Sequence, residues 1–506
     1  MPRPGVGCGR GGAGGASAGA GRERWPRLLE YRDIYAGGRL LPSASPDTIT
    51  VANPATEEIV GAAPAASEKD VGIAVGAARQ AFDRGPWPGA DQADRADAMD
   101  RLAAALQDRA QDTARLVTAE MGMPITASRR HSAEVPVNIL RYYSALARAL
   151  QPEEIRAAVN FRGHTIVRRE PVGVSAVIAP WNYPLALTFS QLAPALAAGC
   201  TVVLKPAAQT CLSAYILAEA FEAADFPPGV FNLVTGAHEV AELLARHPGV
   251  DKVSFAGPVS VGRRIAVACG ETFKSVNLET GGKAAAIVLE DADLAAASAA
   301  LGRLAFANCG QTCFAASRVL APRSRYDDVV TGLMEQAAAV VVGDPMAAET
   351  GMGPLVSPRR RAGVESYVAA STAEGARVVA GGQRPAAPVR GYFYEPTVLA
   401  GDVGGVGDEV FGPVVTVIPY AHESEAVAVA NEAGPGLAGT VWTSDPDHGV
   451  DIARRIHVGT FGINLYVPDL GSPWGGKASP GSTYGPECLG AYLRPKSVFL
   501  PEPAQA

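Results

Sequence analysis

The sequence is poor in histidine. Seven occur in 506 residues, scattered and without a spacing such as H-E-x-x-H, so no metal site is expected and a cysteine hydrolase with a neighbouring histidine base has little support. Charge is also scarce: Asp, Glu, Lys and Arg make up 19% of the chain and the net charge is −7. With no basic stripe carrying interleaved aromatics, nucleic acid is not an expected partner. No apolar run of about eighteen residues is clear of charge, which excludes a conventional membrane-spanning helix. No repeat of fixed period is visible, which argues against a solenoid or propeller. The seven cysteines (Cys8, Cys200, Cys211, Cys269, Cys309, Cys313 and Cys488) form an odd, scattered set with no secretory leader. They fit a reducing compartment, the cytoplasm, better than a disulfide framework.

A chain of this length exceeds one ordinary core and predicts two or three packed units. Residues 1–27 are rich in Gly, Ala and Arg with one acid, Glu23. They read as a disordered extension, with a transit peptide as the functional alternative. From residue 28 the composition becomes ordinary, and 31–63 reads as short β segments with turns at Ala36-Gly37-Gly38 and Asn53-Pro54. Ser67 is placed to cap a helix running to Phe82. A second helical pattern spans 94–120, with Met99, Leu102, Leu106 and Leu116 at helical spacing.

The informative stretch begins at Val172. Apolar β runs at 173–179, 201–205, 231–234, 252–256 and 275–279 alternate with helical segments at 185–197, 212–224, 239–246 and 259–268. Such alternation predicts a doubly wound parallel sheet covered on both faces, an α/β fold of Rossmann-like type. Ligands of such sheets bind beyond the carboxyl ends of the strands. Those ends carry Trp181-Asn182, Lys205-Pro206, Gly257-Pro258 and Glu279-Thr280. A second α/β unit is expected over 283–479, with strands at 284–289 and near 318–321, 414–419 and 439–442 and a helix from Asp293. It contains Cys313.

Taken singly, the motifs are ambiguous. Gly257-Pro-Val-Ser-Val-Gly262, between a strand and a helix, would let a phosphate approach helix N-terminal amides, or is only a turn. Asn182 after a strand is a common turn residue. A free cysteine such as Cys313 is most often a small core residue. Glu279 is more unusual, because a carboxylate at a buried strand end needs a partner or a function.

In combination they carry a resemblance. Pro180-Trp-Asn-Tyr-Pro184, Val203-Leu-Lys-Pro206, Phe255-Ala-Gly257, Leu278-Glu-Thr-Gly-Gly-Lys283, Asn308-Cys-Gly-Gln-Thr-Cys313 and Glu409-Val-Phe-Gly-Pro413 follow one another in an order that resembles the aldehyde dehydrogenase superfamily over about 28–501. Gly343-Asp-Pro345, Gly353-Pro354, Glu395-Pro-Thr397 and Gly462-Ile-Asn464 are lesser matches. The resemblance implies NAD(P)-dependent oxidation of an aldehyde to an acid. Cys313 is the implied nucleophile, Asn182 and the Cys313 N–H the oxyanion donors, and Glu279 the base that activates water against the thioester. For the cofactor it implies Trp181, Lys205, position 208, Gly257, position 258, Gly262, Thr280, Gly281, Glu409 and Phe411. It also implies a coenzyme domain from 28–149 and 172–281, a catalytic domain from 282–487, and a small β oligomerisation element from 150–171 and 488–501 in a homodimer or homotetramer. The runs Thr165-Ile166-Val167 and Ser497-Val-Phe-Leu500 read as edge strands that need pairing.

Departures from the family pattern are equally legible. The ribose-binding Glu usual three residues after the Lys is Ala208. The residues flanking Gly257, usually Thr and Ser, are Ala256 and Pro258, and each change removes a side-chain oxygen from the cofactor cleft. NAD remains the first expectation, with NADP also accepted. The segment Gly475-Gly-Lys-Ala-Ser-Pro-Gly-Ser-Thr-Tyr484 lacks the family's Arg-Glu pair, which is expected to alter the tunnel mouth and last strand but not the chemistry. Trp181, Tyr183, Phe314, Tyr466 and Trp474 suggest an apolar or aromatic aldehyde. A coenzyme A-acylating member is the nearest alternative, and Glu279 argues against it. A non-catalytic member is a further one, and the retained Cys313, Asn182 and Glu279 argue against that.

Overall fold

The computed structural model describes residues 28–401, 409–432, 436–477 and 480–502. The extension expected over 1–27, with Cys8, lies outside the described residues.

Five strands form the parallel sheet: β1 (Val174–Ile178), β2 (Thr201–Lys205), β3 (Phe231–Leu233), β4 (Lys252–Gly257) and β5 (Ser275–Thr280). β1, β2 and β3 are buried throughout, as a strand covered on both faces must be, which is why they read as continuous apolar runs rather than alternating ones. The crossovers are helices Pro184–Ala198, Ser213–Ala223, His238–Arg246 and Val259–Gly270. The spatial order β5-β4-β1-β2-β3 reverses direction at the β4/β1 boundary. A crevice therefore opens there, flanked by the carboxyl ends carrying Asn182 and Gly257. The hairpin Asp33–Ala36 and Arg39–Pro42, turning through Gly37 (φ 62°) and Gly38 (φ 78°), extends this sheet antiparallel to β3.

A second, largely parallel sheet has the spatial order Arg377–Ala380, Thr397–Ala400, Val414–Tyr420, Arg318–Pro322, Ala285–Val288, Ala438–Trp442, Thr460–Ile463. Each sheet is sandwiched between apolar clusters on its two faces.

Three expectations need correction. The pattern over 94–120 is two helices, Gln92–Asp108 and Ala110–Met121, broken at Arg109 (φ −100°, ψ 7°) with no Gly or Pro to announce it. The helix capped by Ser67 runs on to Arg84, with Ser67 and Asp70 in a reciprocal capping box. Thr165-Ile166-Val167 is not in an edge strand. Gly163–Pro171 is the centre of a three-stranded antiparallel sheet, paired along its whole length with Leu493–Pro501 and on the other side with Glu153–Ala157.

Candidate active site

Cys313 sits in a loop set by unusual backbone. After helix Leu294–Phe306 the chain passes through Asn308 (φ 52°), Cys309 (φ 58°) and Gly310 (φ 65°), three consecutive left-handed residues. At Gly310 a Cβ would lie 2.0 Å from the Gly412 carbonyl, so only glycine allows this loop to touch the Glu409-Val-Phe-Gly-Pro413 segment so closely. The loop is laced to the end of β1. The Asn182 amide donates to the Gln311 carbonyl (3.0 Å), and Asn308 Nδ2 donates to the Asn182 carbonyl (2.8 Å). Gln311 in turn donates to the Asn308 carbonyl and accepts from the Val356 N–H. One N–H of the Asn182 amide is used in this lacing, which leaves a second donor.

Cys313 is partly exposed while Cys309 is buried in the core of the second sheet. Burial and then the Glu409 and Glu279 carboxylates push the Cys313 thiol up, and the Cys313 and Phe314 N–H groups pull it down. Both carboxylates thus act electrostatically on the sulfur.

Glu279, near the end of β5, is 9% exposed. Burial pushes its pKa up to about 8 against the opposing pull of the Thr483 hydroxyl, which donates to Oε1. Its Oε2 is buried without a partner among the described residues. Thr483, within the Gly475 to Tyr484 segment that departs from the family pattern, thus touches the Glu279 carboxylate directly. Thr483 also exchanges two backbone hydrogen bonds with Trp474, 2.6 Å each.

Glu409 is likewise pushed up to about 8 by burial, with Arg360 and the Gly282 N–H pulling it down. Its carboxylate lies over Gly281, where a Cβ would come within 2.0 Å of Oε2. The Phe411 ring meets Trp181 edge-on (5.4 Å, 87°) and carries the Arg360 guanidinium on its face at 5.5 Å. Arg360 was missed from the sequence. Its only signal was the run Arg359-Arg360-Arg361 at the start of helix Pro358–Ala373.

Along the crevice, Lys205 ends β2, is 6% exposed, and is pushed down to about 8 by burial, with Cys211 and Glu239 acting in the opposite sense. Glu239 is a carboxylate that acts electrostatically on this lysine and that the sequence did not flag. Ala208 opens the short 3-10 turn Ala208–Thr210. Pro258 caps helix Val259–Gly270 without a side-chain bond, its carbonyl accepting from Val261 and Gly262. At Gly262 a Cβ would lie 3.0 Å from Thr280 Cγ2, so Gly262 lets the helix lie directly on β5.

The aromatic residues divide. Phe314, Tyr466 and Trp474 form one wall, with centroids 5.2–5.8 Å apart, and Tyr484 adjoins Trp474 at 6.4 Å. Tyr183 instead shares a hydrogen bond with Thr312 (2.8 Å) and meets His131 edge-on at 5.0 Å. His131 lies on a π-helical segment, Arg129–Glu134, and burial pushes it down to about 4, so it is neutral at neutral pH. Trp181, facing Phe411, belongs to the other side of the site.

Residues 41–498 match the aldehyde dehydrogenase family. The chain belongs to that family. It is 45% identical, over 93% of its length and 99% of the other, to geranial dehydrogenase of Castellaniella defragrans. The fold of a Mycobacterium tuberculosis aldehyde dehydrogenase complexed with NAD+ superposes with a TM-score of 0.91 at 41% identity, covering 95% of this chain and all of that one. An aldehyde dehydrogenase C mutant from Pseudomonas syringae, complexed with NAD+ and octanal, gives 0.89 at 34% identity, over 94% of this chain and 98% of that one. As an aldehyde dehydrogenase, this protein oxidises an aldehyde to the carboxylic acid with NAD. Among the described residues, no helix of this aldehyde dehydrogenase is long and apolar enough to cross a membrane.

Proposed function

We propose that Cys313 is the nucleophile, Asn182 and the Cys313 N–H hold the oxyanion, and Glu279 is the hydrolytic base. The observation that carries this is the lacing of Asn182 to the Cys313 loop, with Glu279 within electrostatic reach of the same sulfur. The Cys313 thiolate attacks the aldehyde carbon. The negative charge that develops on oxygen meets the remaining Asn182 N–H and the Cys313 N–H. Loss of hydride leaves a thioester on Cys313. Glu279 then takes a proton from water through the unpartnered Oε2 as that water attacks the thioester, and the acid leaves.

The donor set fits a dinucleotide. Lys205 would hold the adenosine ribose, and the start of helix Val259–Gly270, with Gly257, Pro258 and Gly262, the diphosphate. Glu409, Phe411, Trp181, Thr280 and Gly281 would hold the nicotinamide end. When bound, the cofactor supplies the hydride acceptor and a positively charged ring that favours the thiolate. Ala208 offers neither a ribose acceptor nor a charge that repels a 2′-phosphate, so NADP is accepted beside NAD, with efficiencies within about two orders of magnitude. Ala208→Glu should raise the NAD preference by penalising NADP. Steady-state kinetics with both cofactors check this. Strict NAD use by the unmodified protein, or an unchanged ratio in the variant, would transfer discrimination to another group, with Glu239, which acts electrostatically on Lys205, the first to test.

The substrate is an apolar aldehyde. The Phe314, Tyr466 and Trp474 wall beside Cys313 supports this, as do a relative named for geranial and a similar structure complexed with octanal. Following reduced-nicotinamide absorbance, kcat/KM should rise about tenfold or more from a three-carbon to an eight-carbon aldehyde, as each buried CH2 adds about 0.8 kcal/mol until the wall is covered. A preference for charged semialdehydes would overturn the assignment, and a requirement for coenzyme A would replace Glu279-assisted hydrolysis with acyl transfer.

The same reading divides the chain into a coenzyme domain (28–149 and 172–281), a catalytic domain (282–487) and an assembly element (150–171 and 488–501). The exposed Ile155, Phe499 and Leu500 on the outer strands of the small sheet support assembly into a homodimer or homotetramer. The six free cysteines among the described residues accord with a reducing cytoplasm.

A further inference from the structure

Beneath Glu279 lies a run of buried polar side chains that the reaction as written does not use. Asn277, also on β5, donates from Nδ2 to the Ser482 carbonyl (3.3 Å) and to Gln191 Oε1 (2.8 Å). Gln191 Nε2 donates to Thr483 Oγ1 (3.1 Å), and the Thr483 hydroxyl meets Glu279 Oε1. Behind them the Tyr492 hydroxyl donates to Gln191 Oε1 (2.9 Å) and shares a hydrogen bond with Ser254 (2.7 Å). The Lys252 ammonium sits over the Tyr492 ring at 4.8 Å.

The direction of every bond follows from one backbone carbonyl. Ser482 O can only accept, so the Asn277 amide must face it with nitrogen. That nitrogen also faces Gln191, so Gln191 presents oxygen to Asn277 and Tyr492 and nitrogen to Thr483. Thr483 already accepts from Gln191, so its single proton has one acceptor left, the carboxylate of Glu279. Gly481 makes the arrangement possible. Its φ is 88°, and a Cβ there would fall 1.8 Å from Asn277 Oδ1.

We propose that Thr483 is a positioning residue for the hydrolytic base: oriented by the Gln191, Asn277 and Tyr492 side chains, it pins Glu279 by Oε1 and leaves Oε2 to receive the proton of the attacking water. This rests on the reading of Glu279 as the base. It assigns the two oxygens different tasks. The tether keeps the carboxylate from turning both oxygens into the cleft, and as a donor to the ionised form it opposes the effect of burial. The other titratable groups coupled to Glu279 (Cys313, Tyr466, Tyr484 and Cys488) are all pushed up by burial, and among the described residues Thr483 is the side chain that donates to the carboxylate.

The test compares Thr483→Val, which keeps shape and removes the hydroxyl, with Thr483→Ser, which restores it. Each holoenzyme is followed with an apolar aldehyde. Thr483→Val should keep the first-turnover burst of reduced nicotinamide while steady-state turnover falls about ten- to a hundredfold, the range of one hydrogen bond to a charged group. The acid limb of the steady-state pH profile should move to higher pH, since the lost donor favoured the carboxylate. Thr483→Ser should recover most of the rate and return the limb toward its original place. Tyr492→Phe, which leaves Thr483 intact and removes the hydroxyl that holds Gln191 and Ser254, should change the same two readouts in the same direction and by less. Unchanged turnover and limb in Thr483→Val, or equal loss of burst and steady state with no recovery by serine, overturn the proposal. Glu279→Gln separates it from the reading beneath. Wild-type acid release in that variant removes Glu279 as the base, whereas stalling there beside an unaffected Thr483→Val removes only the tether.

Discussion

Cys313→Ala should remove aldehyde oxidation by at least about four orders of magnitude, together with all covalent thioester, because no other described residue presents a reachable nucleophile to Asn182. Cys309→Ala should retain activity. The two cysteines are four residues apart, but the left-handed run at Asn308, Cys309 and Gly310 turns the first into the core of the second sheet and leaves the second in the cleft. Removing the Cys309 thiol should cost about 1 kcal/mol of stability through lost packing. Parallel measurement of turnover, acyl-enzyme mass and thermal unfolding for both variants checks this. Activity that survived the first change and vanished with the second would exchange their roles.

Glu279→Gln should show a burst of reduced nicotinamide close to one equivalent per site, followed by steady-state release of acid slower by about two to four orders of magnitude. The amide keeps the shape of the side chain and its contact with Thr483, but it cannot take a proton. In the unmodified enzyme the base must be ionised to act. Burial raises its pKa to about 8, so turnover limited by hydrolysis should rise with pH through that region. The variant should lose this rise. Rapid-mixing absorbance for the burst and product titration for the acid distinguish the two phases. Acid release at the wild-type rate would make Glu279 a structural carboxylate.

Much of this site is legible in the sequence, for physical reasons that differ between residues. β2 was read to its last residue, because a strand buried on both faces leaves an uninterrupted apolar run that stops where Lys205 and Pro206 begin. Cys313, Glu279 and Asn182 were legible as members of ordered motifs rather than by propensity. Thr483 was not. Its role depends on the Asn277 and Gln191 amides, contributed by β5 and helix Pro184–Ala198, and no local pattern marks a threonine whose hydroxyl has only one acceptor left. Arg360, Glu239 and His131 were invisible for the same reason, since each acts on a residue far away in sequence. The break at Arg109 escaped because nothing there forbids a helix and only packing decides. Thr165-Ile166-Val167 was misplaced at an edge because β-branched residues announce a strand but not its neighbours.

The pairing of Gly163–Pro171 with Leu493–Pro501 joins segments more than three hundred residues apart. A ribosome makes the first long before the second, so the central strand must wait with one side unpaired while the more than three hundred residues between them are made. Tyr492, whose hydroxyl orients Gln191, arrives in the same late segment. The cofactor crevice and the nucleophile loop can form earlier, whereas the alignment of the base comes last. A nascent chain stalled before this point should be able to bind cofactor and capture aldehyde yet turn over poorly, so full catalytic competence waits on synthesis of Leu493–Pro501.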